Sequence, residues 1–106
     1  MSERSGMEER ACAHIGDMVE TEMAAKLGDR RARHGVIPAD DLDAALADIE
    51  RDIADFERSP SGDSTRNALV LGLVRRVCVS RLRAVARRVK AARDAGADIA
   101  VEQLVA

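Results

Sequence analysis

The feature that most limits how this 106-residue chain can fold is an uninterrupted helical pattern over residues 66–93. This stretch contains nine Lys and Arg residues and no acidic residue, in a protein with a formal net charge of −2. As an α-helix it would be about 42 Å long, at 1.5 Å per residue. Between Leu69 and Val79 its apolar residues fall on all sides, and a helix that is apolar all round is buried all round. Another helix or a second copy of the chain must therefore cover this segment.

The acidic segment that precedes it, residues 40–58, has the pattern of a helix that pairs with it. Its apolar residues are spaced four and three apart, as in a short coiled-coil seam, and they are Leu42, Leu46, Ile49, Ile53 and Phe56. Asp40 and Asp41 follow a proline and can cap the helix start. Residues 59–64 form a short Ser-, Pro- and Gly-rich turn, and helices joined by a short turn pack antiparallel. We therefore predict an antiparallel hairpin of helix 40–58 and helix 65–93.

Two further segments complete the predicted fold. A first helix over residues 8–26 has an apolar face at spacings of three and four, made of Ala11, Cys12, Ile15, Met18, Val19 and Met23. A loop at 27–39 follows it. Residues 97–106 predict a short amphipathic C-terminal helix, anchored by Ile99, Val101, Leu104 and Val105. The predicted fold class is all-α, with three main helices and this short fourth one in a single domain.

The composition indicates that the chain assembles with copies of itself. Phe56 is its one aromatic residue, so the core must be built from aliphatic side chains and alanines. Burial of apolar surface stabilises a fold by about 25 cal/mol per Å², and small side chains bury little surface. A domain of this size is therefore only marginally stable as a monomer. We predict a helical homo-oligomer whose interface lies on the first half of the basic helix, at Leu69, Leu71, Leu73, Val74, Val77 and Cys78.

The charges have two interpretations. Residues 36–63 carry a net charge of −7 and residues 64–93 a net charge of +9, so an antiparallel hairpin places opposite charges side by side. In the first interpretation they pair internally, with Asp43 and Asp48 near the level of Arg81, and each exposed pair contributes about 0–1 kcal/mol. Arg81 and Arg88 lie beside the apolar seam in this arrangement.

In the second interpretation, a stripe of cations points away from helix 40–58 and binds phosphates. Its members are Arg76, Arg83, Arg87 and Lys90. No helix-turn-helix pattern is present, and without Trp or Tyr there is no platform on which the bases of a single strand could stack. Binding would therefore be to double-stranded DNA, weak, salt-sensitive and independent of base sequence.

The sequence gives no support for catalysis, metal binding or a cofactor. It contains no glycine-rich phosphate loop, its two histidines have no metal-ligand spacing, and Cys12 and Cys78 stand alone. The longest apolar run, residues 68–74, is too short to span a bilayer, and no apolar segment follows the first ten residues as in a secretory signal. We expect a cytoplasmic protein that is not an enzyme and has no membrane partner.

Together these features predict a non-catalytic, homo-oligomeric helical adaptor. An oligomerising helical hairpin with a basic face and a C-terminal docking segment is similar in plan to phage-type small terminase subunits, which hand DNA to a packaging motor. The tail would dock on its own bundle or bind a protein partner. The alternative is a regulatory or chaperone-like module without nucleic-acid affinity. It would bind another protein through the acidic flanks of helix 40–58 or the apolar part of helix 65–93.

Overall fold

The computed structural model describes residues 2–58 and 65–105, with side chains for residues 14–58 and 72–105. As predicted, the chain is mostly helical. The long helices of this part are α1 (Ser2–Arg31), α2 (Leu42–Arg58) and α3 (Thr65–Ala95). Two short strands, β1 (Val36–Ile37) and β2 (Ile99–Ala100), pair antiparallel. Two 3-10 helices cover Ala39–Asp41 and Val101–Leu104.

The predicted antiparallel packing of α2 against α3 is confirmed, but its register differs from the prediction. Arg83 Nη2 lies 2.9 Å from Glu57 Oε1, and Arg93 Nη1 lies 3.2 Å from Asp43 Oδ1. The predicted level of Asp43, beside Arg81, is therefore wrong by about three turns of α3. That prediction assumed that the helices begin to pair directly at the turn between them, which lies outside the described residues.

α1 lies alongside α3 and runs in the same direction. The two helices approach closely at Gly16, where a Cβ atom would lie 3.0 Å from Val77 Cγ1 and 2.9 Å from Arg81 Nε. One turn later, Glu20 forms ion pairs with Arg81 and with Arg88. Later residues of α1 therefore meet later residues of α3.

α2 is antiparallel to α1 as well. Lys26 forms an ion pair with Asp52, and Arg31, further along α1, forms one with Asp48, which comes earlier in α2. The three helices consequently form an up-down-up bundle in which α2 contacts both of the others.

α1 extends beyond both ends of the predicted helix 8–26 and passes through Gly28 without a break. A glycine inside a helix costs about 1 kcal/mol relative to alanine, which contacts can offset. Here Leu27 is completely buried, and Arg31 Nε donates to Asp48 Oδ2 at 3.2 Å. These contacts stabilise the last turn, which a glycine-based prediction assigns to the loop.

The predicted C-terminal helix is wrong. After α3 the backbone turns at Gly96, whose φ is 65°, and continues as β2 and a 3-10 helix. Ile99 of β2 pairs with Ile37 of β1, a position that a regular helix would not give it. Just before β2, Asp98 Oδ1 accepts a hydrogen bond from Ala39 N at 2.8 Å. This hydrogen bond holds the first 3-10 helix to the segment that follows α3.

The core draws on the three long helices, both strands and the second 3-10 helix. The residues of its main buried cluster are Met23, Ala24, Leu27, Ile37, Leu42, Ala45, Ile49, Leu82, Val85, Val89, Ile99 and Leu104. The predicted seam of α2 is confirmed, since its other members, Leu46, Ile53 and Phe56, pack against this cluster while partly buried. On α1 the predicted apolar face is wrong at Met18, which is 49% exposed. Met18 lies opposite the side of α1 that carries Gly16 and Glu20 toward α3.

Candidate nucleic-acid interface on α3

The four cations predicted to bind nucleic acid, Arg76, Arg83, Arg87 and Lys90, all lie on the exposed surface of α3. We call them the basic face. Their spacing of seven, four and three residues keeps them on one side of the helix. Arg76, Arg87 and Lys90 form no hydrogen bond or ion pair with any residue that the structure describes. Their guanidinium and ammonium groups are therefore available to an anion from solution.

The prediction that this face points away from α2 is wrong for Arg83. Its Nη2 donates to Glu57 Oε1 on α2 at 2.9 Å. The basic face therefore lies along the edge of α3 that borders α2, rather than on the side opposite to it. The reason is that α1 covers the side of α3 that carries Arg81 and Arg88, so α2 packs on the opposite flank, next to Arg83.

An open groove of about 600 Å³, which we call the α2–α3 groove, separates α2 from the basic face. Its floor is apolar and includes Leu46, Ile53 and Ala86, and its α2 side carries Glu50 and Glu57. Because the two sides of the groove have opposite charge, a polyanion lying inside it would be repelled by α2. A polyanion can reach the basic face favourably from the outer side of α3.

A second pocket, of about 410 Å³, lies at the end of this groove beside the last turn of α2. We call it the Ser80 pocket, and its lining residues are Glu57, Arg75, Arg76, Val79, Ser80, Arg83 and Arg87. Four arginines thus converge on it, with one carboxylate among the described side chains that line it. Guanidinium groups bind carboxylates and phosphates through paired hydrogen bonds, so the pocket suits an anion.

Two other arginines of α3 face inward and are neutralised by α1. Arg81 Nη1 lies 3.2 Å from Glu20 Oε1 and 3.1 Å from Asp17 Oδ1. Arg88 Nη1 lies 3.7 Å from Glu20 Oε2 and donates to the backbone carbonyl of Leu104 at 2.6 Å. Arg81 and Arg88 do lie beside the apolar side of α3, but the predicted pairing of Arg81 with acids of α2 is wrong, because its acidic partners are on α1. We call these five residues the Glu20 network; it joins α1, α3 and the tail.

Glu20 is buried although its residue type predicts exposure, so the apolar pattern of α1 does not reveal it. One feature of the sequence does indicate that Glu20 lies at a helix contact. Gly16 lies four residues earlier, on the same side of the helix, and a glycine within a helix often permits a close backbone approach. The acidic residue one turn beyond such a contact is placed to meet cations of the neighbouring helix.

A second buried carboxylate, Asp48 of α2, lies between two arginines. Arg31 Nε is 3.2 Å from its Oδ2, and Arg51 Nη1 is 3.6 Å from its Oδ1. Asp48 thus holds the end of α1 to α2. Because Asp48 is paired with these arginines, it is not available to form ion pairs with the basic face.

The residues predicted to form an oligomer interface are not all in one environment. The side chains of Leu69 and Leu71 lie outside the described residues. Leu73 is 46% exposed, Val74 and Val77 are partly buried, and Cys78 is buried. Cys78 therefore contributes to the interior of a single chain, whereas Leu73 presents an apolar side chain to solvent.

The predicted partner-docking residues of the tail pack on their own chain. Ile99 and Leu104 belong to the buried core, and Val101 and Val105 pack against it while partly buried. The sequence allows the tail either to dock on its own bundle or to bind a partner, and in the structure it docks on its own bundle. A protein partner could use these side chains only after they leave the core.

The remaining residues with possible chemical roles are the histidines, the acids and Cys78. The described part of the chain contains no group of three or more His, Cys, Asp or Glu side chains placed to hold a metal ion. His14 and His34 are exposed. Burial raises the pKa of the Cys78 thiol above its usual value, so this side chain stays protonated and unreactive at neutral pH.

Among the described residues, no helix combines the length and the apolar character needed to cross a bilayer. Comparison of the chain with protein-family models, with curated proteins and with solved structures finds no match in any of the three.

Proposed function

We propose that the protein is a helical adaptor that binds duplex nucleic acid through the basic face, without reading base sequence. The observation that carries the proposal is a difference between the cations of α3. Arg81, Arg88 and Arg93 each have an acidic partner within the chain. Arg76, Arg87 and Lys90 share one side of the helix and have none among the described residues.

The size of the basic face sets the strength of this binding. From Arg76 to Lys90 the helix rises by about 21 Å, at 1.5 Å per residue, which is long enough for contacts with three or four phosphates. Each neutralised phosphate contributes a slope of about −0.9 to a plot of log affinity against log salt concentration. A single copy should therefore lose about 40- to 150-fold in affinity between 50 and 200 mM salt.

The test is a fluorescence-anisotropy titration of duplex DNA with wild-type protein and two double variants. Arg76→Ser/Arg87→Ser removes two cations from the basic face. The matched control, Arg30→Ser/Arg33→Ser, removes one exposed cation in the last turn of α1 and one just beyond it, and neither side chain has a partner among the described residues. We expect the first variant to weaken binding and to reduce the salt slope by about 1.8, with little change in the control.

Two results would overturn the proposal. One is the absence of binding by the wild type at about 50 mM salt, where phosphate contacts are strong. The other is an equal loss of affinity in both variants, which would show that binding depends on the overall charge of the protein and not on the basic face. Absence of binding would favour the alternative function, in which a partner protein lies in the α2–α3 groove.

We also propose that copies of the chain associate through the first half of α3. α2 has 17 residues and α3 has 31, so α2 is about 25 Å long and α3 about 46 Å. Because Glu57, near the end of α2, lies beside Arg83, roughly the first four to five turns of α3 extend beyond α2. Leu73, in that half, is exposed. Light scattering should give the mass of an oligomer and a smaller mass for Leu73→Glu; a monomeric wild type would contradict the proposal.

A further inference from the structure

We propose that the Ser80 pocket is a binding site for a phosphate group, and that Glu57 competes with that phosphate for Arg83. The inference rests on the proposed function in that it uses part of the basic face, and it names one position on that face at which a phosphate is held. It also assigns a role to an acid of α2, which the proposed function does not.

The geometry of α3 brings the pocket's donors together. Arg76, Ser80, Arg83 and Arg87 follow one another at spacings of four, three and four residues, which places them along one side of the helix. The exposed Ser80 hydroxyl lies at the middle of this row, and a hydroxyl can donate to a phosphate oxygen. A phosphate at Ser80 is therefore within a turn or two of each of the three guanidinium groups.

The charges of the pocket favour an added anion. Arg76, Arg83 and Arg87 line it and repel one another, and Glu57 is the one acid among its described lining residues. The Glu57 carboxylate contacts Arg83 through one oxygen, at 2.9 Å. A phosphate group has more acceptor oxygens than a carboxylate, and as a monoester it carries a charge of about −1.5 to −2 at neutral pH. It can therefore replace Glu57 at Arg83 and also reach Arg76 and Arg87.

The ion pair that must open is easily exchanged. Its side chains are 61% exposed for Arg83 and 50% for Glu57, and ion pairs of such exposure contribute little to stability. Glu57 thus weakens phosphate binding to a small and measurable extent rather than preventing it. The α2–α3 groove is less suitable for the phosphate, because Glu50 and Glu57 both line it.

The phosphate can come from the backbone of a nucleic acid or from a phosphorylated small molecule, and the experiment separates these sources. One arm titrates inorganic pyrophosphate and follows backbone amide signals by NMR. The other titrates duplex DNA at about 50 mM salt by fluorescence anisotropy. Both use wild type, Glu57→Gln and the control Glu22→Gln. Glu22 is an exposed acid of α1 with no partner among the described residues, so both variants change the net charge equally.

We expect Glu57→Gln to bind pyrophosphate about two- to five-fold more tightly than wild type, the range that corresponds to loss of an exposed ion pair. Glu22→Gln should differ from wild type by less than this, and Arg83→Gln should bind more weakly. Because Glu57 and Arg83 are exposed, these variants should keep the wild-type circular dichroism spectrum. Equal effects of Glu57→Gln and Glu22→Gln in both arms would overturn the inference.

The two proposals fail in different ways. If pyrophosphate binds with the expected order of variants and DNA does not bind, the phosphate site stands and the proposed function falls. If DNA binds, but with no more gain for Glu57→Gln than for Glu22→Gln and with no saturable pyrophosphate binding, the proposed function stands and the phosphate site falls.

Discussion

Replacement of Glu20 by glutamine should destabilise the fold far more than the same change at Asp17. The two acids provide a matched comparison because both contact Nη1 of Arg81, at 3.2 Å from Glu20 and 3.1 Å from Asp17. They differ in burial: the Glu20 side chain is 3% exposed and that of Asp17 is 67% exposed. Glu20→Gln keeps the shape of the side chain and removes its charge.

The expected magnitude follows from the surroundings of the Glu20 network. Removing one partner of a fully buried ion pair costs about 3–5 kcal/mol. Here Arg81 and Arg88 are 34% and 29% exposed, so water recovers part of that cost. The glutamine amide oxygen can also still accept one hydrogen bond. We therefore expect about 2 kcal/mol for Glu20→Gln, whereas Asp17→Asn removes an exposed pair and should cost about 0–1 kcal/mol.

Urea unfolding, followed by circular dichroism, measures both values. With a slope of about 1–2 kcal/mol per M for a domain of this size, Glu20→Gln should lower the midpoint by about 1–2 M. Its melting temperature should fall by about 8–16 °C, at 4–8 °C for each kcal/mol. If both variants cost the same, or if Glu20→Gln costs less than about 0.5 kcal/mol, the assignment of the network as a stabilising buried cluster is wrong.

The other predictions concern glycines and a thiol. Gly72→Ala should stabilise the protein by about 1 kcal/mol, because a Cβ there meets nothing within 4 Å and alanine is the better helix former. Gly16→Ala should bring no such gain, since its Cβ would lie 2.9 Å from Arg81 Nε and overpacking costs about 1–3 kcal/mol; equal gains in urea unfolding would contradict the close approach of α1 and α3. Burial raises the pKa of Cys78, so the folded state holds this proton to higher pH than the unfolded chain does. Stability should be unaffected by this group below about pH 8.5 and fall above it, by at most about 1.4 kcal/mol per pH unit. Unfolding at pH 7 to 9.5 should show this slope in a Cys12→Ser protein and not in Cys12→Ser/Cys78→Ala; a slope common to both would exclude Cys78 as its cause.

The periodicity of the sequence is sufficient to predict the three long helices and the pairing of α2 with α3. The seam of α2 has apolar residues at every third or fourth position, and a pattern of this kind states which side of a helix is buried. It does not state which neighbour buries that side. For this reason the sequence predicts α2 acids as the partners of Arg81, although its partners Asp17 and Glu20 are on α1.

The tail shows a second limit of sequence reasoning. Each strand of the small sheet has two residues, too few for an alternating pattern to be visible, and β1 and β2 are more than 60 residues apart in the chain. The apolar residues of the tail predict that it packs against its own bundle or a partner, and they do not decide between the two. So short a set of residues also does not distinguish a helix from a strand. The basic face can be predicted from the sequence because it depends only on the spacing of charges along one helix. The Ser80 pocket cannot, because it also requires Glu57, which α2 contributes.

The pairing of β2 with β1 has a consequence for the order in which the protein can fold. Ile99 and Leu104 are synthesised after all other residues of the buried cluster, yet they cover side chains from the first half of the chain. Contacts between residues so distant in sequence form late, because a long loop must close before they contribute. Until then Leu27 and Ile37 lack part of their cover, and a nascent chain that stops at α3 exposes apolar surface.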